Sequence, residues 1–187
     1  MALKELITEM IRWDEAYSHK LRIAEKPGVG RRAAMFFAHS GDSWFWGAGL
    51  LAIWYFGTTD WKRWAFYELL FISLLVIVIM SLKFTIRRKR PAGEWGAIYR
   101  NTDPHSFPSG HAARAFMIAF LCLILGPAWL AAILLLWAPL VTLSRVLMGV
   151  HYISDVIVGA LIGIAFAYIG WGFAPLFPLP DMILKGF

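Results

Sequence analysis

The chain is poor in cysteine, charge and acidic residues. Cys122 is its single cysteine, so an intrachain disulfide is excluded and cysteine usage says nothing about redox compartment. Charged residues make up 16% of the 187 positions, well below the ~25% usual in a soluble domain. No internal repeat is visible. The first 25 residues lack the uninterrupted apolar run of a cleavable signal peptide, so none is expected there. Acids number 12 against 18 Lys and Arg, for a net charge of +6. Such an excess raises nucleic acid as a partner. The basic residues, however, gather at the ends of apolar runs rather than along a polar face. No nucleic acid is expected, and attraction to anionic lipid or a phosphorylated substrate fits better.

What the chain has in quantity is apolar residues, 59% of the total, with a mean hydropathy of +0.61. They fall into runs, the pattern of an integral membrane protein. Ten tryptophans are present, and Trp44, Trp46, Trp61, Trp64, Trp129 and Trp171 lie near run ends, as in an interfacial aromatic belt. The expected fold is an all-α, polytopic membrane helix bundle of about five transmembrane helices preceded by interfacial amphipathic helices. Residues 2–25 read as one such amphipathic helix, broken at Pro27-Gly28-Val29-Gly30, and 31–39 as a second. Apolar stretches follow at 43–58, 64–86, 109–125, 129–148 and 153–174. Pro139 is expected to kink the fourth, and Pro175, Pro178 and Pro180 to end the fifth. Gly159 and Gly163 form a GxxxG, a weak sign of a close helix contact. The whole of 1–187 reads as one domain, with 1–42 interfacial and 43–176 the transmembrane core.

Three polar groups fall at one membrane face on this topology. In Phe107-Pro108-Ser109-Gly110-His111, Pro108 cannot continue a helix, Ser109 is a good N-cap and Gly110 allows close backbone approach. The stretch is either an anion site at a helix start, with His111 beside it, or an ordinary capped start. In Lys83-Phe-Thr-Ile-Arg87-Arg88-Lys89-Arg90-Pro91, the charges are either a stop-transfer cluster or a phosphate-binding pair. Lys83 and Arg90 are two helical turns apart, so one helix face can carry both. In Ser144-Arg145-x5-His151-x3-Asp155, the last two residues are spaced i, i+4. They form either a structural polar pair or a histidine oriented for nucleophilic or base chemistry by an aspartate. Together the three groups suit phosphoryl transfer, in which fixed cations and amides meet negative charge on the phosphoryl oxygens. Carboxylates on that face are few (Glu94, Asp103 and Asp155), so no metal and no cofactor are expected.

Lys83-x6-Arg90-Pro91, then Pro108-Ser109-Gly110-His111, then Ser144-Arg145-x5-His151-x3-Asp155 resembles the three-part signature of the type 2 phosphatidic acid phosphatases. The likeness covers roughly residues 43–170, and the short chain looks like the small bacterial membrane members, which lack a sixth span. The resemblance implies a metal-independent lipid phosphatase. His151 would be the nucleophile that forms a phosphohistidine, Asp155 its orienting acid, and His111 the general acid. Lys83, Arg90, Ser109, Gly110 and Arg145 would cradle the phosphate. Family substrates are phosphatidate, phosphatidylglycerol phosphate, polyprenyl diphosphates such as undecaprenyl diphosphate, and lipid A phosphates. The alternative is a non-catalytic lipid-phosphate binding or transport protein of the same fold, and a vanadate peroxidase is more distant.

The resemblance also implies a bacterial cytoplasmic membrane and an active face on the extracytoplasmic side. The charge distribution opposes that orientation. Fifteen of the eighteen basic residues lie on the active face or in the N-terminal segment, and Lys62, Arg63 and Lys185 lie opposite. Among the remaining polar residues, Arg87, Arg88 and Lys89 read as surface charges, His105 as a loop residue, His39 as interfacial, and Asp42 as a helix cap. Arg114 reads as either a substrate contact or a snorkelling arginine. Trp95 and Tyr99 are candidates for a lid.

Overall fold

A backbone segment in hydrocarbon must satisfy its own polar groups, so apolar runs of this length fold as helices. A computed structural model describes residues 3–93 and 95–173. Glu94, Ala174 and the prolines expected to end the last span lie outside the described residues. Among those described there are eight helices: α1 (Leu3–Leu21), α2 (Val29–Ser40), α3 (Ser43–Phe56), α4 (Thr59–Ile86), α5 (Ala97–Thr102), α6 (Gly110–Leu125), α7 (Ala128–Leu147) and α8 (Ile153–Phe173). The five expected apolar stretches are α3, α4, α6, α7 and α8. Of these, α4, α7 and α8 are long and apolar enough to cross a membrane by length and composition. The other two are shorter, 14 residues in α3 and 16 in α6. The second span begins at Thr59, five residues earlier than the apolar run implied, because Asp60 in its first turn is a favourable helix start. Pro139 lies inside α7. The short helix α5 was not expected.

The spans are apolar on every side, so position in the bundle decides which side is inward. In α4 the buried residues Trp64, Glu68, Phe71, Leu75, Ile79 and Lys83 recur every three or four positions. Lys83 is therefore inward because it continues the stripe that Phe71, Leu75 and Ile79 begin. Leu74, Val76, Ile77 and Val78 lie on the exposed side. In α6 the buried stripe is rich in alanine, with Ala112, Ala113, Ala115 and Ala119. Small residues let helix backbones approach closely, which is how helices associate where apolar burial gives no driving force. Gly159 and Gly163 of α8 face this stripe, and a Cβ on Gly163 would run into the Ala113 carbonyl. The GxxxG is thus the α6–α8 contact.

The N-terminal helices are the amphipathic pair expected. α1 leaves Leu6, Ile7, Met10, Ile11, Trp13 and Tyr17 exposed, the uncovered apolar side of a helix lying in a membrane interface. α2 packs on α7 and α1 touches α7 and α8, so both sit over the end of the bundle that carries the polar motifs.

Replacing Gly163 by valine is expected to lower the thermal stability of the detergent-solubilised protein by at least about 2 kcal/mol through overpacking. Gly172→Val, where a Cβ has open space around it, should leave the unfolding midpoint unchanged. Equal midpoints for the two variants would show that the α6–α8 contact is not tight.

Candidate active site

The chain turns at the end of α4. Arg87 takes a left-handed conformation (φ 55°) and closes the helix. Beyond it the backbone is extended: Lys89 bridges to His105, and Ser106 N–H donates to the Arg88 carbonyl. Side chains in an extended segment alternate sides. Arg88 and Arg90 accordingly point inward, while Arg87 and Lys89 are exposed. Two sequence readings are corrected here. Arg90 shares a pocket with Lys83 through this extended turn rather than through helical spacing, since α4 has already ended. Arg88 is no surface charge: its guanidinium donates to Asp155 Oδ1 and Asp14 Oδ2, both at 2.8 Å, and to Ser154 Oγ at 2.6 Å. It also lies 4.0 Å over the Tyr152 ring.

A cavity of about 160 Å³ opens at this end of the bundle. Lys83, Arg90, Gly110, His111, Arg145 and His151 line it, together with Ser43, Tyr99, Asp103 and Arg114. Three sequence-distant motifs therefore meet around one space. Ile72, Leu75, Val76, Ile79 and Met80 continue its wall down α4. Two of the expected residues stand behind this lining. Ser109 is buried and caps α6, its Oγ accepting from Ala112 N–H. Asp155 is buried beneath His151.

The cations are held by few anions. Lys83 Nζ reaches Asp103 Oδ2 at 2.7 Å and donates to the His105 carbonyl. Arg90 donates to the same Asp103 oxygen at 2.8 Å and to the Val150 carbonyl at 2.9 Å. Arg145 is buried, lies 4.4 Å over the Tyr99 ring, and donates to the Ala38 carbonyl. Arg114 is buried as well, donates to the Gly41 carbonyl and lines the cavity, so it does not snorkel.

His151 lies in the turn between α7 and α8, and its tautomer follows from its neighbours. Arg90 Nη1 is 3.0 Å from His151 Nε2. A guanidinium can only donate, so Nε2 carries the lone pair and Nδ1 the proton. Nδ1 faces Asp155 Oδ2 at 3.4 Å, longer than a hydrogen bond. The expected direct bond is thus replaced by close apposition, because Arg88 and the Tyr152 N–H already hold the Asp155 carboxylate. Burial, reinforced by Arg90, Lys83 and Arg145, holds the His151 imidazole well below the ordinary histidine range, which keeps Nε2 unprotonated at neutral pH.

His111 opens α6, and its Nε2 lies 2.8 Å from Asp42 Oδ1. Asp42 stands at the N-cap position of α3, as expected, but its side chain makes no cap bond there and serves His111 instead. Asp14, Asp42 and Arg88 are the polar partners that sequence reasoning missed, while Asp103 was placed on this face without its role as partner of Lys83 and Arg90. The period-two alternation with Arg90 was the one available signal, and it concerned Arg88 alone.

A model of the PAP2 superfamily matches residues 65–177. The chain belongs to the PAP2 superfamily. It is 31% identical to Aquifex aeolicus LpxE, whose crystal structure superposes with a TM-score of 0.64 over 80% of this chain and 90% of that one. The transmembrane PAP2-type phosphatidylglycerolphosphate phosphatase of Bacillus subtilis shares the fold, with a TM-score of 0.71 at 24% identity over 90% of this chain and 87% of that one. An undecaprenyl-diphosphatase of Sulfolobus acidocaldarius is 34% identical over 100 residues, 50% of this chain and 48% of that protein. The chain spans less than half the length of the curated relatives it matches. With its apolar spans and these membrane relatives, this PAP2 chain is an integral membrane protein.

Asp14, at the other end of the Arg88 link, lies outside the residues that the PAP2 model matches. Arg88→Gln is expected to leave the buried Asp155 short of its principal cation and to lower stability by about 3 kcal/mol. Thermal unfolding in detergent checks this, and an unchanged midpoint would show that Arg88 is dispensable to the fold.

Proposed function

We propose that this protein is a metal-independent lipid phosphatase acting through a phosphohistidine on a phosphomonoester or diphosphate of a membrane lipid. The observation that carries this reading is the neutral His151, its Nε2 lone pair turned to Arg90 at the edge of a cavity that Lys83 and Arg145 also line. Pure anion binding needs the cations but not a histidine held in this tautomer above a buried aspartate. Relatives named as lipid A 4'-phosphatase and undecaprenyl-diphosphatase support the same substrate class.

In this mechanism Lys83, Arg90 and Arg145 bind the phosphoryl oxygens, with the Gly110 N–H at the start of α6 as a further donor. Asp103 gives up part of its hold on Lys83 and Arg90 as phosphate enters. His151 Nε2 attacks phosphorus in line, forming a P–N bond as the P–O bond to the lipid breaks. His111 gives its proton to the leaving lipid oxygen. His111 then takes a proton from water as that water's oxygen attacks phosphorus, and the P–N bond breaks to release phosphate. Asp155 offsets the positive charge that develops on His151. The apolar wall along α4 receives the lipid chain.

Phosphate release from phosphatidate, phosphatidylglycerol phosphate and undecaprenyl mono- and diphosphate, assayed in detergent with excess EDTA, tests this. Turnover of at least one of these lipids is expected to persist in EDTA and to fall at least about 1000-fold in His151→Ala. Activity abolished by EDTA removes the metal-free reading, and full activity in His151→Ala removes the covalent one.

The protein is further proposed to sit in a bacterial cytoplasmic membrane with this cavity on the extracytoplasmic side. Ala97, exposed at the start of α5, reports the side, because the native Cys122 is buried. Ala97→Cys should react with an impermeant thiol reagent on intact cells. Labelling confined to lysed cells would place the site inside.

A further inference from the structure

Asp42 stands at the junction of α2 and α3, in the part of the chain that precedes the family-matched residues. Its carboxylate has three partners. Oδ1 lies 2.8 Å from His111 Nε2 and accepts from the Tyr99 hydroxyl at 3.1 Å. Oδ2 lies 3.2 Å from His39 Nδ1. A carboxylate can only accept, so His111 Nε2 carries a proton directed at Asp42. Nδ1 is then the ring nitrogen left for any group in the cavity that His111 lines. Burial opposes ionisation of Asp42, but its bonds to His111 and His39 outweigh burial and hold the carboxyl well below the usual carboxylate range. Tyr99 contributes a further hydrogen bond. The dyad is fixed at its outer edges. The Tyr99 ring packs edge-on against His111 at 5.7 Å and under the Arg145 guanidinium. Arg114, one turn along α6, donates to the Gly41 carbonyl next to Asp42.

Resting on the phosphatase reading above, we infer that Asp42 is a positioning residue for proton donation: it fixes the His111 ring and its tautomer so that Nδ1 delivers a proton to the leaving lipid oxygen. His111 is surrounded by positive charge from Arg114 of α6 and Arg145 of α7, and Asp42 is the anion that faces it. Without that anion the doubly protonated ring needed to give up a proton from Nδ1 is opposed by its burial and by both arginines. The N-terminal segment thereby completes the proton-donating half of the site, and the motif residues alone do not.

The test separates donation from folding by varying the leaving group. The substrates are a long-chain alkyl phosphate, whose oxygen must be protonated as it leaves, and a nitrophenyl phosphate bearing the same chain, whose oxygen leaves without help. Asp42→Asn in the full chain is expected to lower kcat on the alkyl ester by about 10- to 100-fold with KM changed by less than about threefold, and to slow the aryl ester by less than about threefold. Asp42→Glu should recover part of the alkyl rate. Equal slowing of both esters, with or without a lower unfolding midpoint, assigns Asp42 a structural role and overturns the inference. Unchanged rates on both overturn it as well. Failure of the underlying reading looks different: wild-type protein then turns over neither ester, or His151→Ala retains full activity.

Discussion

Four cations, Lys83, Arg90, Arg114 and Arg145, line one buried space, and much of the remaining structure answers that fact. Lys83 and Arg145 are almost fully withdrawn from solvent and Arg90 nearly so. Like charges withdrawn together into a low-dielectric bundle repel strongly, and each must also be met by acceptors. The acceptors come from everywhere in the chain. Asp103 answers Lys83 and Arg90, backbone carbonyls at Ala38, His105 and Val150 take further donors, and the Tyr99 ring lies under Arg145. The loop between α4 and α6 is long because it must carry Tyr99 and Asp103 over the pocket and return to start α6 at Ser109.

The two histidines are served by different means. His151 is kept neutral by its burial and by the cations around it, and is backed by an aspartate that Arg88 holds in place. His111 is paired directly with Asp42. One ring accepts at Nε2 and the other is paired with a carboxylate at Nε2, which suits the division of labour in the proposed two-step phosphoryl transfer. The N-terminal segment contributes to both halves, through Asp14 to Arg88 and through Asp42 to His111.

Much of this was legible in the sequence. The spans were, because segments apolar on all sides have no other stable form in lipid. The motif residues were, because Lys83, Arg145 and Asp155 are costly where they lie unless they serve a site. Arg88 was hidden among four consecutive basic residues, and only the end of α4 at Ile86 reveals that it alternates with Arg90. Asp14 and Asp42 were not legible at all. Their partners lie 74 and 69 residues away, and no periodicity links a carboxylate in an amphipathic segment to a side chain in another helix. The short α5 sits in a loop bounded by Gly96 and Asp103, too brief to leave an apolar pattern.

The two short spans bear on how a lipid reaches the pocket. Helix α3 rises only about 21 Å and α6 about 24 Å, against a hydrocarbon core of ~30 Å. Both begin at the pocket end, where Ser43 and Gly110 line the cavity. A bilayer meets short spans partly by thinning around them, at a cost of fractions of a kcal/mol per ångström. The headgroup plane then dips on this side of the bundle, and on the phosphatase reading proposed above a lipid phosphate can descend to Lys83 and Arg145 while its chain stays within its own leaflet.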